Sequence, residues 1–289
     1  MSKLKEALAA GQFPLVMEVK PPKGIALEGM LAQIKAFTGK VTAFGIPDNE
    51  HARMKLSALA AATLVKEAGG EALLHLTCRD RNRLALESDL LGAGALGLEN
   101  ILAVSGDYVT LGDHPDAKPV FDADSVQLLQ IARGLMAGHD SADLPLDGNP
   151  QFYLGAVLIP EADPMNPQLL KFKKKQAAGA QFFITAPIFA LGKFRQFRQS
   201  LGDPDVKILA CIKVPKASEV DQAVLGQHRK VYSLPPEVVK EMAGTDPEAV
   251  VQKGAAVAGR LLKKIREEKL ADGAYVKVQG RSDLMTLLL

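Results

Sequence analysis

A carboxylate stands inside the first apolar segment of the chain, a position that an acidic residue seldom occupies. Glu18 lies in the run Leu15–Lys20, which reads Leu-Val-Met-Glu-Val-Lys. Burying an unpaired carboxylate is costly and raises its pKa, and a raised pKa is what a general acid needs near neutral pH. The alternative is a structural glutamate paired with an internal lysine or arginine. We favour the chemical interpretation, in which Glu18 acts as a general acid.

Two later apolar segments also carry polar residues near their ends. The segment Ala72–Cys78 contains His75, and the segment Asn100–Asp107 ends in a Ser-Gly-Asp triplet. A lone histidine is more often a hydrogen-bonded core residue than a catalyst, but its place near a strand end favours a site. Gly106 permits a ligand to approach the backbone closely, and Asp107 is able to accept hydrogen bonds from a heterocycle.

Eight short apolar segments would position these side chains. They are nearly continuous in Val, Ile, Leu and Phe, which is typical of strands buried on both faces of a parallel sheet. The predicted strands are Leu15–Lys20, Val41–Ile46, Ala72–Cys78, Asn100–Asp107, Phe152–Leu158, Ala180–Phe189, Lys207–Val214 and Tyr275–Val278. Eight strand–helix units over 289 residues fit a (β/α)8 barrel with extra helices in the later loops, since such barrels need roughly 250 residues. A doubly wound open sheet is the competing arrangement.

The segments between the strands have helical spacing. Apolar residues recur at i, i+3 and i+4 with charged residues on the other side, in stripes that begin near Leu56, Leu84, Val126, Leu169 and Val250. No shift of composition marks a boundary, so residues 1–289 are predicted to form one domain. Functional groups of a parallel barrel gather at the C-terminal ends of the strands, where we expect the three polar groups described above to meet.

The composition excludes several classes of protein. Lys and Arg number 35 against 33 Asp and Glu, a balance that gives no reason to expect a nucleic acid partner. No stretch approaches the roughly 18 apolar residues of a membrane span, and the first residues lack the apolar core of a secretory signal. Cys78 and Cys211 are too few for a disulfide scaffold or a cysteine-built zinc site, and the histidines are scattered, so no metal is predicted. We expect a soluble, cytoplasmic protein.

Two patterns that suggest phosphate binding are weak. Gly92–Gly97 matches G-x-G-x-x-G, but the dinucleotide fingerprint requires a strand, then the glycines, then a helix. Here a helix precedes the glycines and a strand follows them, so we reject the motif. Lysines at 171, 173, 174 and 175 lie on the helix before the sixth strand. Most of them must face solvent, and one could reach an anionic ligand.

Several of these stretches together resemble the methylenetetrahydrofolate reductase family, FAD-dependent enzymes on a (β/α)8 barrel. No single motif is decisive, but the ordered set, spread over roughly residues 15 to 190 with a weaker echo at Arg281, is specific. The matching stretches are Glu18 with Pro21-Pro22, His75-Leu76-Thr77-Cys78, Gly106-Asp107, Pro160-Glu161-Ala162, Lys175, Ala178-Gly179-Ala180 and Ile184-Thr185.

The resemblance implies an activity and a set of site residues. The family reduces 5,10-methylenetetrahydrofolate to 5-methyltetrahydrofolate with hydride from reduced FAD. Glu18 would be the general acid that opens the five-membered ring of the folate substrate to an iminium ion, and Asp107 would lie near the pterin and flavin rings. Lys175 would pair with the FAD phosphates, and Arg281 would approach the folate tail. The residues that would line the FAD are His75, Ser105, Gly106, Asp107, Phe121, Asp122, Glu161, Ala162 and Lys175.

Three positions depart from the family pattern. Ala186 stands where the family commonly has a glutamine that contacts folate and nicotinamide, Ser105 replaces an arginine, and Ile159 replaces a histidine. Loss of the glutamine amide leaves two electron donors open, NAD(P)H or a partner electron-transfer protein, and it also leaves open a different pterin as the substrate.

Two alternatives follow for the function. One is a flavin- or folate-binding subunit of a larger complex, because the apolar residues 283–289 would dock on the barrel or on another subunit. That segment also leaves a homo-oligomer open. The other is a flavin-free lyase or aldolase, in which Glu18 and His75 serve as acid and base and Lys20 or Lys213 forms a Schiff base.

Overall fold

The computed structural model describes residues 2–202, 204–224, 234–242 and 246–289. Within them, eight parallel strands pair in chain order and β8 pairs with β1, which closes the barrel. The strands are β1 (Leu15–Glu18), β2 (Ala43–Ile46), β3 (Ala72–Thr77), β4 (Asn100–Val104), β5 (Tyr153–Leu158), β6 (Phe182–Pro187), β7 (Lys207–Lys213) and β8 (Gly273–Lys277). The predicted (β/α)8 barrel is confirmed. The competing open sheet is wrong, because the first and last strands pair with each other.

Helices alternate with the strands along the chain. They are α1 (Lys3–Ala9), α2 (Glu28–Phe37), α3 (Ala58–Glu67), α4 (Arg83–Ala95), α5 (Ser125–Met136), α6 (Asn166–Ala178), α7 (Leu191–Leu201), α8 (Ala217–Val224), α9 (Pro236–Met242) and α10 (Pro247–Glu267). Three of them, α8 to α10, lie between β7 and β8, so the predicted extra helices in the later loops are confirmed. None of the helices in the described part of the chain is both long and apolar enough to cross a membrane.

The strands end up to three residues earlier than predicted, and this shift places the Ser-Gly-Asp triplet in a loop. Strand β4 ends at Val104 instead of Asp107. The chain turns at Gly106, whose φ of +97° lies in the left-handed region that favours glycine. The Ser-Gly-Asp triplet therefore forms the loop at the C-terminal end of β4, where it faces the barrel mouth.

The core has two layers with different roles. The larger layer fills the space between the strands and the surrounding helices. The smaller one fills the barrel itself and includes Leu4 and Leu8 of α1, which pack with Val16, Leu73 and Phe182. Helix α1 therefore helps to fill the barrel interior with apolar side chains.

Gly45 of β2 makes room for a tyrosine inside the barrel. A methyl group on Gly45 would stand 2.5 Å from Oη and 2.8 Å from Cζ of Tyr275. We expect Gly45→Ala to displace this ring and to lower the free energy of unfolding by roughly 1–3 kcal/mol, as overpacked cores do. Urea unfolding measures it, with Gly29→Ala as the control, because nothing lies within 4 Å of that added methyl group. Equal stability of both variants would contradict the clash.

Candidate active site

A cavity of about 440 Å³ opens at the C-terminal end of the barrel, a size in the range of roughly 300–1,000 Å³ typical of small-molecule sites. We call it the inner cavity. Its walls are largely apolar, with Leu102, Val104, Val157, Ile159, Ile184 and Ala186 among the lining residues. Its charged or polar side chains include Glu18, Asp48, Glu50, His51, His75, Arg79, Asp107, Lys171, Lys175, Tyr275 and Lys277.

Glu18, the last residue of β1, lies in this lining with only 5% of its surface exposed. Its Oε2 atom accepts a hydrogen bond from Tyr275 Oη at 3.2 Å and lies 2.8 Å from Lys277 Nζ. The other carboxylate oxygen, Oε1, is buried without a hydrogen-bond partner, since Lys20 Nζ lies 3.7 Å away. One oxygen is thus held in place, and the other retains hydrogen-bonding capacity for a bound molecule.

Glu18 belongs to a charged cluster, which we define as Glu18, Lys20, Glu50 and Lys277. Glu50 accepts from Lys277 at 2.5 Å and lies 2.6 Å from Lys20 Nζ. Burial alone would raise the pKa of Glu50, but the two ammonium groups outweigh burial and hold that pKa low. Burial alone would lower the pKa of Lys277, but the two carboxylates raise it well above its ordinary value. The internal lysine partner that we considered for Glu18 therefore exists.

His75 and Tyr275 extend the cluster into the barrel. Tyr275 Oη lies 3.3 Å from His75 Nε2. Burial, together with the positive charge of Lys277, lowers the pKa of His75 to about 3. The imidazole is therefore uncharged near neutral pH and a weak base, which argues against His75 as the base of a lyase.

The loop after β4 brings a second carboxylate to the mouth of the barrel. His51 Nδ1 lies 3.2 Å from Asp107 Oδ2, and this hydrogen bond is the main reason that the pKa of Asp107 is lowered. Ser105 Oγ accepts from the backbone N–H of Ser125 at the start of α5. Asp107 is consequently ionised at neutral pH, with half of its side chain exposed.

Lys175 of α6 brings positive charge to another part of the inner cavity. Its Nζ donates to the carbonyl oxygen of Val157 at 2.7 Å. Burial, and then the charge of Lys171, lowers the pKa of Lys175 to about 8. Among the described residues neither lysine has a carboxylate in ion-pair contact, so this part of the lining carries positive charge that no ion pair neutralises.

The structure places five of the predicted site residues outside the lining of the inner cavity. They are Phe121, Asp122, Glu161, Ala162 and Arg281. Buried Glu161 accepts from the backbone N–H groups of Phe189 and Ala190 at the start of α7. Asp122 pairs with Arg83 at the start of α4. These two carboxylates hold helix ends in place.

The remaining three residues also have local partners. Arg281 forms ion pairs with Glu248 and Asp283, each at 2.9 Å. Phe121 packs edge-on against Tyr108, with 6.1 Å between the ring centroids. The backbone N–H of Ala162 donates to the carbonyl oxygen of Ile159. The other six predicted residues, Glu18, His75, Ser105, Gly106, Asp107 and Lys175, meet in one cavity. The roles predicted for all eleven residues stay predictions.

Among the site residues that were not identified from the sequence are Glu50, His51, Tyr275 and Lys277. Tyr275 and Lys277 alternate at the end of β8, so the rule that marked Glu18, a polar residue near a strand end, could have found both. Glu50 and His51 lie in a short turn of irregular backbone, for which the sequence gives no comparable signal.

The fold and the cavity define a class of protein, a (β/α)8 barrel with a small-molecule site at the C-terminal ends of its strands. A family model described as methylenetetrahydrofolate reductase matches residues 3–275. The chain therefore belongs to the methylenetetrahydrofolate reductase family, which confirms the family indicated by the sequence motifs.

The chain is similar to several known proteins, each at low identity. It is 25% identical to the 5,10-methylenetetrahydrofolate reductase of Pectobacterium carotovorum over 73% of this chain and 66% of the relative. It is 29% identical to a probable methylenetetrahydrofolate reductase (NADPH) of Caenorhabditis elegans over 47% of this chain and 19% of the relative. The matched region thus spans less than two thirds of either relative.

One solved structure shares the fold over nearly the whole chain. It is an uncharacterized protein from Clostridium thermocellum that is described as binding two copies of 5-methyl-5,6,7,8-tetrahydrofolic acid. The TM-score is 0.64 at 14% identity, with 98% of this chain and 97% of the other covered. At this identity the likeness supports the fold alone.

Proposed function

We propose that this protein is an FAD-dependent reductase that converts 5,10-methylenetetrahydrofolate to 5-methyltetrahydrofolate. The observation that carries the proposal is Glu18, a buried carboxylate in the cavity lining whose Oε1 atom has no hydrogen-bond partner. A buried glutamate at the C-terminal end of a barrel strand, in a member of this family, fits the role of an acid that acts on a bound substrate.

The residues of the inner cavity fit a flavin nucleotide. Apolar side chains such as Leu102, Val104 and Ile184 suit the flat ring system, and the unneutralised charge of Lys171 and Lys175 suits a phosphate. When bound, FAD supplies the hydride that reduces the substrate.

The protein's own residues would handle the proton and the developing charge. Because Tyr275 and Lys277 both bind Oε2 of Glu18, Oε1 is the oxygen left to pass a proton to the substrate. Transfer of this proton to the departing ring nitrogen would open the five-membered ring to an iminium cation. The ionised carboxylate of Asp107 would then stabilise that positive charge.

Cofactor binding is tested with one lysine and a matched control. We expect the purified chain, incubated with FAD and gel-filtered, to retain flavin absorbance. Lys175→Met should weaken FAD binding at least about tenfold, since hydrogen bonds to charged groups contribute roughly 1.5–3 kcal/mol. Lys173→Met, on the exposed side of the same helix, is the control and should bind normally. A wild-type chain that takes up no FAD would refute the cofactor.

A second candidate concerns the electron donor. Ala186 lies in the inner cavity lining and offers a methyl group where a glutamine amide is common in the family. This observation favours a flavin subunit that receives electrons from a partner protein over direct use of NAD(P)H. Anaerobic titration of the flavin-loaded chain with NADH and NADPH decides between them, with dithionite as the positive control.

The flavin-free lyase has weaker support. Lys20 is paired with Glu50, and Lys213 is paired with buried Glu219. Both amines are thus in contact with a carboxylate, and these pairs would have to break before either amine could attack a carbonyl carbon to form a Schiff base.

A further inference from the structure

A short turn after β2 places His51 between two carboxylates at the mouth of the barrel. His51 Nδ1 lies 3.2 Å from Asp107 Oδ2, and His51 Nε2 lies 3.9 Å from Glu50 Oε1. His51 and Asp107 line both the inner cavity and a second cavity of about 830 Å³. The pair therefore stands where the two cavities meet, and a molecule bound in the inner cavity would lie beside the histidine as well as the carboxylate.

The backbone of this turn has a conformation that residues other than glycine seldom adopt. Asn49, His51 and Ala52 have φ angles of +45°, +58° and +55°, all in the left-handed region. Residues in this region cost free energy and persist only where their surroundings fix them. Arg79 donates to the carbonyl oxygen of Asn49, and the N–H of Asp113 donates to that of Ala52. The loops after β3 and β4 therefore hold the turn from which the imidazole reaches its carboxylate partner.

The hydrogen bond between His51 and Asp107 defines where the proton of the neutral imidazole lies. A carboxylate only accepts, so Nδ1 must carry the proton, and Nε2 is then the basic nitrogen. Within the part of the chain that the structure describes, the bond from His51 reaches Oδ2 and no group donates to Oδ1 of Asp107. One carboxylate oxygen is thus held by the imidazole, and the other is left to a bound molecule.

A proton on Nε2 would change the charge at this point of the site. Histidine is the side chain whose charge ordinarily changes between about pH 5 and 8, and more than half of the His51 side chain is exposed to solvent. Asp107, Glu50 and Lys277 keep their charges in this range, because the pKa values of the two carboxyl groups are lowered and that of the lysine is raised. The charged groups around the pair are Lys20, Glu50, Arg53, Lys55, Arg79 and Lys277.

We propose that His51 is a positioning residue that sets the orientation and the effective charge of Asp107 during the reduction. This inference rests on the proposed function, in which the Asp107 carboxylate stabilises the iminium cation. The neutral imidazole holds the carboxylate through its Nδ1–H and leaves the negative charge in place. An imidazolium, formed with a proton from solvent, cancels that charge. The reduction should therefore be fastest when His51 is uncharged.

The test follows methylenetetrahydrofolate reduction by the FAD-loaded chain as a function of pH. His51→Asn keeps an N–H donor for Asp107, tolerates the left-handed backbone and cannot take up a proton. Division of its rate by the wild-type rate at each pH cancels every pH dependence that the two chains share. This ratio should rise about tenfold as the pH falls from about 8 to about 5.5. The rise is smaller than the roughly 100-fold contribution of a group in a water-excluded site, because the pair is half exposed.

Two further variants serve as comparison and control. His51→Gly suits the backbone and loses the hydrogen bond, so at about pH 8 it should be at least about threefold slower than His51→Asn. His114→Gln is the matched control, because His114 also pairs with a carboxylate, Asp113 at 2.9 Å, and lies outside both cavity linings. Its rate relative to the wild type should not change with pH. A His51→Asn ratio that is equally constant, or equal rates of the two His51 variants, would overturn the inference.

The tautomer of His51 provides a readout that needs neither flavin nor folate. Nitrogen NMR of the flavin-free chain at about pH 8 should show the Nδ1–H tautomer in the wild type. Asp107→Ala should abolish this preference and leave the tautomer of His114 unchanged. A wild type with the proton on Nε2 would overturn the inference.

The two experiments together distinguish this inference from the proposed function. If the wild type reduces methylenetetrahydrofolate but the His51→Asn ratio does not change with pH, the role of His51 fails and the proposed function stands. If the flavin-loaded wild type reduces no methylenetetrahydrofolate, the proposed function fails and the role of His51 fails with it.

Discussion

Replacement of Glu18 by glutamine is expected to lower the rate of methylenetetrahydrofolate reduction by at least about 100-fold, the loss typical of removing a general acid. The amide is nearly isosteric with the carboxyl group and lacks only the titratable proton. Transfer of electrons to the bound flavin from its donor should continue, because that half-reaction needs no ring opening. Rapid mixing that follows the two half-reactions separately measures both rates.

The same variant should remain folded. Lys277 keeps its contact with Glu50 at 2.5 Å, and the amide oxygen can still accept from Tyr275. The expected loss in the free energy of unfolding is therefore about 1 kcal/mol, as for one modified hydrogen bond. It is smaller than the roughly 3–5 kcal/mol that is typical when a buried charge loses its partner. Urea unfolding measures this difference.

Two outcomes would contradict acid catalysis by Glu18. A large loss of stability with normal activity per folded molecule would mean that the carboxylate only holds the charged cluster together. Normal stability with normal folate reduction would contradict both roles.

Replacement of Lys277 by methionine is expected to destabilise the fold by about 3 kcal/mol at neutral pH, because it leaves the buried carboxylate of Glu18 without its closest cation. Glu50 would retain Lys20 at 2.6 Å, with His51 Nε2 at 3.9 Å. Urea unfolding of the variant is compared with that of Lys263→Met, an exposed lysine on α10 that should change stability by less than about 0.5 kcal/mol.

The effect of Lys277→Met should depend on pH in a defined direction. The folded pKa of Glu50 is lowered, so its ion pairs contribute stability above its ordinary pKa of 4.5. That contribution is lost as the pH falls through the folded value. Lys277 has a raised pKa, so its contribution is complete below its ordinary value of 10.5 and is lost only above it. The stability difference between wild type and variant should therefore be largest between these two values and should shrink in acid. A difference that is constant from pH 3 to about 8 would contradict the role of the charged cluster in stability.

The amino-acid sequence by itself determined the architecture and the family. Strands buried on both faces of a barrel must be nearly continuous in apolar residues, so all eight strands could be predicted, with ends shifted by three residues or fewer. Polar residues that interrupt or directly follow such strands stand out from the apolar pattern, and the C-terminal ends of parallel strands meet at one end of a barrel. For this reason Glu18, His75 and Asp107 could be assigned to one end of the barrel before their positions were known.

The tertiary structure decided which groups those residues contact. Tyr275 and Lys277 reach Glu18 only because β8 pairs with β1 and closes the barrel, and a contact across more than 250 positions leaves no local pattern in the sequence. Glu50 and His51 reach the site through the irregular backbone of one short turn. Arg281, although it follows β8, is turned to Glu248 and Asp283 instead. The type and spacing of residues can show that a charge will be buried, but the closure of the sheet and the course of the loops determine which opposite charge lies beside it.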